Sequence, residues 1–492
     1  MSETRWRNWR LGAWSLGAAG VGLGIYIGVA AIFGLLGFPL DDAWIHQTYA
    51  RSLAVHGEWA YWPGEISSGS TAPLWTILLI PGQWLQGGML IWTFFLGWLG
   101  LGGSAWLAQI TYQNLLKPAE VKIPVMALIL TLEWHLVWAA GSGMETILYV
   151  LLILAVFAVL TRRTPIFWLA GSLAGLTAWV RPDGLTLLGP VVLVAFLGAD
   201  RWKKGGRGIV QGLAGFLVPF LPYLLFNYLL AGTIWPNTFY AKQAEYFSMT
   251  GENFLVRFLR LGFQPLVGVG ILLLPGWFWG LYRGWKMRNW AAISLGLFWL
   301  GTTVLYAWRL PVIYQHARYL IPSMAAFFVL GFYGMSDLWL IFMDSRLTRL
   351  MRFAWRLAVT VTLLLFFFIG SFQYTNDIGI INTEMVAAGK WIAQNTGEDA
   401  LIAAHDIGAL GYFGGRRLVD LAGLISPEVI PFIRDEQKLA NFLEEQGADY
   451  LVTFPGWYET LEEGKQEVWR SEGEYSIQQG GENMRIYRWI VP

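Results

Sequence analysis

The chain has no cysteine at all, which excludes disulfides, thiol nucleophiles and thiolate metal sites. Charge is scarce too: 14% of residues are Asp, Glu, Lys or Arg, where a soluble domain carries roughly 25%. The five histidines are scattered, and a metal site needs three or four convergent ligands. Glu133 and His135, two apart, do not share a helical face. No residue is therefore assigned to a metal, and dependence on a divalent ion stays open. There is no internal repeat of about 20–50 residues and no low-complexity tract.

Apolar and aromatic residues fill the space that charge leaves. Hydrophobic residues make up 55% of the 492, mean hydropathy is +0.47, and there are 29 Trp and 20 Tyr. Apolar runs of about 17 to 25 residues recur along the chain, the pattern of a polytopic helical membrane protein with aromatic anchors at the interfaces. The first run, Leu11 to Phe38, is too long for a signal-peptide core and lacks an A-x-A cleavage pattern, so it reads as a retained first span.

Net charge of +1 hides an asymmetry. Residues 374–492 carry 19 acids and 9 Lys/Arg, whereas residues 1–373 carry 14 acids and 25 Lys/Arg. Sixteen of those 25 lie in five clusters: Arg5/Arg7/Arg10, Arg162/Arg163, Arg201/Lys203/Lys204/Arg207, Arg283/Lys286/Arg288 and Arg346/Arg349/Arg352/Arg356. The positive-inside rule puts all five in the cytoplasm, together with the N-terminus. Membrane segments separate the clusters, so they do not form a nucleic-acid-binding face.

After Arg162 the apolar segments near 165–180, 184–198, 209–230, 256–282, 291–308, 320–341 and 357–373 close an alternating topology. It leaves Arg181-Pro182-Asp183-Gly184, Trp235 to Lys242 and Arg309 to Arg318 outside. Earlier segments lie near 72–86, 91–110, 123–140 and 146–160, giving eleven or twelve spans with 72–86 as a candidate partial helix. The membrane body is expected over residues 1–373, with a first external loop at about 39–71. Residues 374–492 are long enough to bury a core of their own and read as an external α/β domain. Its expected elements are a helix Val386 to Asn395, a strand Ala400 to Ala404, a Gly-rich turn Gly408 to Gly415 and a strand Leu418 to Leu421. A helix Glu436 to Gln446, a strand Tyr450 to Phe454, a helix Trp457 to Trp469 and a strand Met484 to Ile490 follow.

Candidate chemistry starts at Asp41-Asp42, on the outer lip of the first span, because ionisable groups at a membrane edge mark function. One carboxylate can act as general base for an acceptor hydroxyl while its neighbour raises or orients it. The plainer reading is an N-cap for an interfacial helix 43–55. The aromatic and hydroxyl-rich loop from Trp59 through Trp62 and Thr71 to Trp75 suits sugar binding, or an aromatic belt at headgroup level. Arg181, Lys242, His316 and Arg318 share the external side and could hold a phosphate; basic residues at helix ends also snorkel, and Asp183 competes for Arg181. Glu145 could contact a sugar or cap helix 146–160. His405-Asp406 reads as a strand-end turn rather than a catalytic pair.

Taken in order, these motifs resemble the GT-C class of membrane glycosyltransferases, nearest the branch of mycobacterial terminal arabinofuranosyltransferases and their bacterial relatives. The matching stretches are Asp41-Asp42-Ala43-Trp44, Gly69-Ser70-Thr71-Ala72-Pro73-Leu74-Trp75, Gly143-Met144-Glu145-Thr146, Arg181-Pro182-Asp183-Gly184, Pro236 to Lys242 and Arg318-Tyr319-Leu320-Ile321-Pro322. In the tail, Asp406 to Tyr412 and Asp420 to Leu424 continue the likeness.

The resemblance implies an inverting transferase at the external face of the cytoplasmic membrane. It also implies a polyprenyl-phosphate-linked sugar as donor, a glycan, lipid or protein acceptor, and Asp41 or Asp42 as base. Arg181, Lys242, His316 and Arg318 become candidates for the donor phosphate. Trp62, Thr71, Glu145, Asp183, Asn237 and Tyr240 become candidates for the substrates. The rival reading is a flippase for lipid-linked sugars, which should show paired repeats and charges at mid-membrane.

Overall fold

A computed structural model describes residues 3–116, 124–199, 202–342 and 345–489. The side chains of Arg5 and Arg7, together with Arg201 and Ile490, lie outside the described residues. The body is a helical bundle whose several long apolar helices make it a multi-pass membrane protein. Among the described residues six helices are long and apolar enough to cross a membrane: Trp9–Ile32, Met89–Leu115, Trp202–Ala231, Trp290–Arg309, Ile321–Ile341 and Arg346–Asn395. A seventh span results if the pair Phe254–Leu266 and Gly270–Lys286, bent by 108°, counts as one.

The other expected spans fold as short or broken helices, and each break has a local cause. Glu133 is extended (φ −71°, ψ 119°) and caps Trp134–Gly141 by accepting the Leu136 N–H at 3.1 Å, splitting the 123–140 segment. Pro265 and Gly268 (φ +110°) break the 256–282 segment. Arg181 (φ −153°, ψ 136°) and Pro182 interrupt the region between Phe167–Leu176 and Leu188–Leu197. Close helix packing depends on small residues. A methyl group on Gly334 would sit 1.8 Å from the Gly276 carbonyl oxygen, so Gly270–Lys286 and Ile321–Ile341 touch backbone to backbone.

The last body helix does not stop at the membrane. Arg346–Ile381 continues through a π turn at Asn382–Val386 into Ala387–Asn395. Beyond it lies one five-stranded sheet in the order Arg417–Asp420, Leu401–Ala404, Tyr450–Thr453, Arg485–Arg488, Gln466–Arg470. The first three strands are mutually parallel and the last two are antiparallel additions. Two expectations are corrected here. Gly408–Gly414 is a helix rather than a turn. The expected helix Trp457 to Trp469 is a single turn, Glu459–Glu462, followed by the strand Gln466–Arg470. Gly464 (φ +71°) ends the turn, and the alternating Gln-Glu-Val-Trp-Arg then pairs with Arg485–Arg488.

The tail sits directly on the body's loops. Arg51 Nη1 donates to the Tyr412 carbonyl at 2.8 Å, the Tyr61 hydroxyl to the Ile407 carbonyl, and Arg434 Nε to the Glu245 carbonyl at 3.0 Å. The hydrophobic core is continuous across this junction: Phe38, Trp44 and Tyr49 share one buried cluster with Ile402, Ile407 and Leu410.

Candidate active site

Asp41 and Asp42 are neighbours with different surroundings. Helix Asp42–His56 starts at Asp41, yet the Asp41 side chain caps no N–H of that helix. Its two oxygens instead accept the N–H groups of Gly408 (2.7 Å) and Ala409 (2.8 Å), at the start of tail helix Gly408–Gly414. The approach is close enough that a Cβ on Gly408 would meet the Asp41 backbone oxygen at 2.0 Å. Asp41 is 7% exposed; burial, with Asp406 nearby, raises its pKa to about 8.

Asp42, one residue on, turns into open space, with a side chain 29% exposed. Arg318 Nη2 donates to its Oδ2 at 2.5 Å, and Lys242 Nζ lies 4.0 Å away. Burial works against its charge, but these two cations outweigh it and hold its carboxyl well below the usual range.

Arg181, Lys242 and Arg318 come from three distant parts of the chain and meet on one ring. Their cationic groups lie 5.1, 5.3 and 5.0 Å from the Tyr319 centroid, within cation–π range. Asp183 orients Arg181 (Oδ1 to Nε, 3.1 Å) and accepts from the Tyr306 hydroxyl at 2.8 Å, while Arg181 Nη2 donates to that same hydroxyl at 2.6 Å. Arg318 is 6% exposed, and its Nε and Nη1 have no hydrogen-bond partner among the described residues. A buried guanidinium with two unused donors is built to receive an anion.

Two cavities meet at this cluster, and Asp42, Lys242 and Arg318 line both. One, about 410 Å³, runs between apolar side chains such as Trp235, Phe239, Leu305 and Trp308, with Arg181, Glu145 and Thr71 in its wall. The other, about 670 Å³, lies between body and tail and is the more polar of the two, with Glu245, His405, Asp406 and Trp457 in its wall.

The remaining sequence candidates divide. Glu145 pairs with His46 (Oε2 to Nε2, 3.4 Å) and lines the apolar cavity, as do Thr71 and Asp183. Four others are elsewhere. The His316 ring is bound to Asp377 at 2.8 Å between Trp134 and Trp138 and lines neither cavity. Trp62 lies in a two-stranded hairpin away from both. Asn237 and Tyr240 face a separate groove, where Asn237 Nδ2 lies 3.5 Å from the Leu424 carbonyl.

Sequence reading missed His46, Tyr319, Glu245, His405, Asp406 and Trp457. For Tyr319 the signal was its place beside Arg318 in the loop before helix Ile321–Ile341. His405-Asp406 does end a strand, but strand ends of a parallel sheet are where ligands bind. No group of three or more metal-ligating side chains converges among the described residues.

Residues 373–487 match a family model described as a domain of unknown function (DUF8728). No curated protein matches the chain in sequence. Solved structures do match in fold. The Archaeoglobus fulgidus oligosaccharyltransferase in its apo form gives a TM-score of 0.60 at 13% identity, over 90% of this chain and 69% of its own. The same organism's AglB, in complex with an inhibitory peptide and a dolichol-phosphate, gives 0.59 at 12% identity with the same coverage. ArnT from Cupriavidus metallidurans, bound to undecaprenyl phosphate, gives 0.59 at 12% identity over 97% of this chain and 98% of its own. The chain thus shares the fold of these structures, a helical membrane body with a small α/β domain.

Proposed function

We propose that this chain is an inverting glycosyltransferase that moves a sugar from a polyprenyl-phosphate donor to an acceptor hydroxyl at the external face of the cytoplasmic membrane. The observation that carries the reading is the junction at Asp42. An ionised carboxylate stands where an apolar cavity rimmed by Arg181, Lys242 and Arg318 meets a polar one. The apolar cavity suits a lipid tail, with its phosphate against the three cations and the unused Arg318 donors. The polar cavity suits the acceptor. The five basic clusters support the external orientation. The ordered motifs support kinship with the arabinofuranosyltransferase branch, without assigning the sugar.

The step balances simply. The acceptor oxygen attacks the anomeric carbon as the bond from that carbon to the phosphate oxygen breaks. The hydroxyl proton goes to Asp42, and the lipid phosphate leaves carrying the charge that Arg318, Lys242 and Arg181 hold. A single displacement of this kind inverts the anomeric centre. Asp41 is the poorer base, because with its pKa near 8 it holds a proton at neutral pH and both its oxygens bind the tail. Asp42 is kept ionised by the cations that the phosphate would draw off it. Donor binding would therefore free the base and raise its proton affinity just before reaction.

The test is transfer itself. Purified protein in detergent is offered a panel of polyprenyl-phosphate sugars and acceptor glycans, and products are read by mass spectrometry and NMR. A transferred sugar of inverted configuration is expected. Movement of intact lipid-linked sugar across vesicles with no bond cleaved would contradict the reading and favour a flippase.

A further inference from the structure

The parallel strands of the tail point to an occupant for the polar cavity. The chain runs from the middle strand Leu401–Ala404 to the edge strand Arg417–Asp420, then crosses to Tyr450–Thr453 on the other side. The connections therefore diverge between Leu401–Ala404 and Tyr450–Thr453. In parallel α/β sheets, ligands bind at the carboxyl ends of strands at such a divergence. The residues at these two ends, His405, Asp406, Trp457 and Tyr458, all line the polar cavity that opens on Asp42.

Their states differ in an informative way. His405 is fixed, with Nδ1 2.7 Å from the Tyr458 hydroxyl and Nε2 3.4 Å from Glu245 Oε1. Asp406 is half-buried, and its carboxylate has no hydrogen bond or ion pair among the described residues. Trp457 leaves 50% of its surface exposed and meets the His405 ring edge-on at 5.4 Å. Of the cations of this cavity, Lys242 and Arg318 face Asp42 and Arg434 donates to the Glu245 carbonyl; the spare Arg318 donors are those assigned above to the donor phosphate. An exposed indole beside a free acceptor-only carboxylate matches a sugar ring, with its C–H face on the indole and hydroxyls donating to the carboxylate. A sugar carrying its own carboxylate would instead bring like charge against Asp406 and Glu245.

We infer that this crevice binds the acceptor and that the acceptor is an uncharged saccharide, stacked on Trp457 and donating hydroxyls to Asp406. The assignment as acceptor rests on Asp42 being the transfer centre. Both residues belong to the tail, so the tail selects the acceptor while the body holds the donor.

The test uses the full chain in detergent and titration calorimetry. The saccharide probes are cellohexaose and α-1,6-mannohexaose (neutral) and hexagalacturonate (anionic), with undecaprenyl phosphate titrated separately. At least one neutral hexasaccharide should bind tenfold or more tightly than hexagalacturonate. Asp406→Asn and Trp457→Ala should each weaken that binding about tenfold, with Asp406→Glu within threefold of the parent. Undecaprenyl phosphate should bind all three variants within twofold of the parent, which also shows that they are folded. Saturable binding by none of the saccharides, equal binding of the anionic one, or parental affinity in both Asp406→Asn and Trp457→Ala would overturn the inference and leave the transfer centre standing. Undecaprenyl phosphate binding that ignores Arg318→Ala would overturn the transfer centre, and with it the acceptor role, even where saccharide is held.

Discussion

The two cavities at Asp42 share a wall but not a chemistry. The one inside the body is lined mainly by apolar side chains, with Arg181, Lys242 and Arg318 in its wall; the one beneath the tail is more polar, with Glu245, Asp406, an engaged histidine and an exposed indole. Each is suited to a different molecule, and Asp42, Lys242 and Arg318 are the charged residues they have in common. The same contrast runs through the aspartate pair. Asp42 faces the space where reactants would meet, while Asp41, in the wall of the second cavity, is bound through both oxygens to the tail helix. On the proposed mechanism, adjacent residues at one helix start would separate chemistry from assembly.

The sharpest way to break this contrast is to neutralise the shared residue. Asp42→Asn should lower the transfer rate by about 10³-fold, the scale of a lost general base, with the KM for the donor unchanged or lower because Arg318 and Lys242 are freed for phosphate. A variant within tenfold of the parent, read in single-turnover assays, would remove Asp42 from the chemistry. Arg318→Ala comes next, with an expected loss of about 10²-fold in kcat/KM. Arg318→Lys should recover only part of that, since an ammonium cannot offer the forked donors.

Asp41 should respond through stability. Its pKa is raised from 3.8 to about 8 in the folded protein, so the native state holds this proton more tightly than the unfolded chain does. Its contribution is complete below about pH 4 and is lost as pH rises towards 8. The Tm of the parent should carry a downward component over that window, and Asp41→Asn should remove it. An identical Tm–pH slope in both proteins would contradict the assignment. The smallest effect is expected at Trp62: Trp62→Ala should change kcat/KM by less than about twofold, because the ring lines neither cavity.

How much of this could be read from the chain follows from the range of each interaction. Apolar periodicity is local, so the bundle, the tail's parallel strands and the helix Glu436–Gln446 were legible. Breaks at Glu133 and Gly268 were not, because a capping carboxylate or one left-handed glycine inside an apolar run barely alters hydropathy. The motifs carrying Asp42, Arg181, Lys242 and Arg318 were legible as loops sharing one face. Their convergence on Tyr319 was not, since it depends on packing between helices far apart in sequence. His316 misled for the same reason: a basic residue in the right loop turned inward to Asp377 on the long helix Arg346–Ile381. Trp62 misled because an aromatic loop residue looks alike whether it faces a cavity or the surface. The division of labour between Asp41 and Asp42 had no signal in sequence, where the two side chains are identical.

The most direct measurement is a density map of the protein with undecaprenyl phosphate bound. The phosphate should lie within about 3 Å of Arg318 Nε or Nη1 and against Lys242, with the Asp42–Arg318 contact of 2.5 Å opened and Asp42 facing the polar cavity. A phosphate bound away from these cations, with that ion pair intact, would contradict the account.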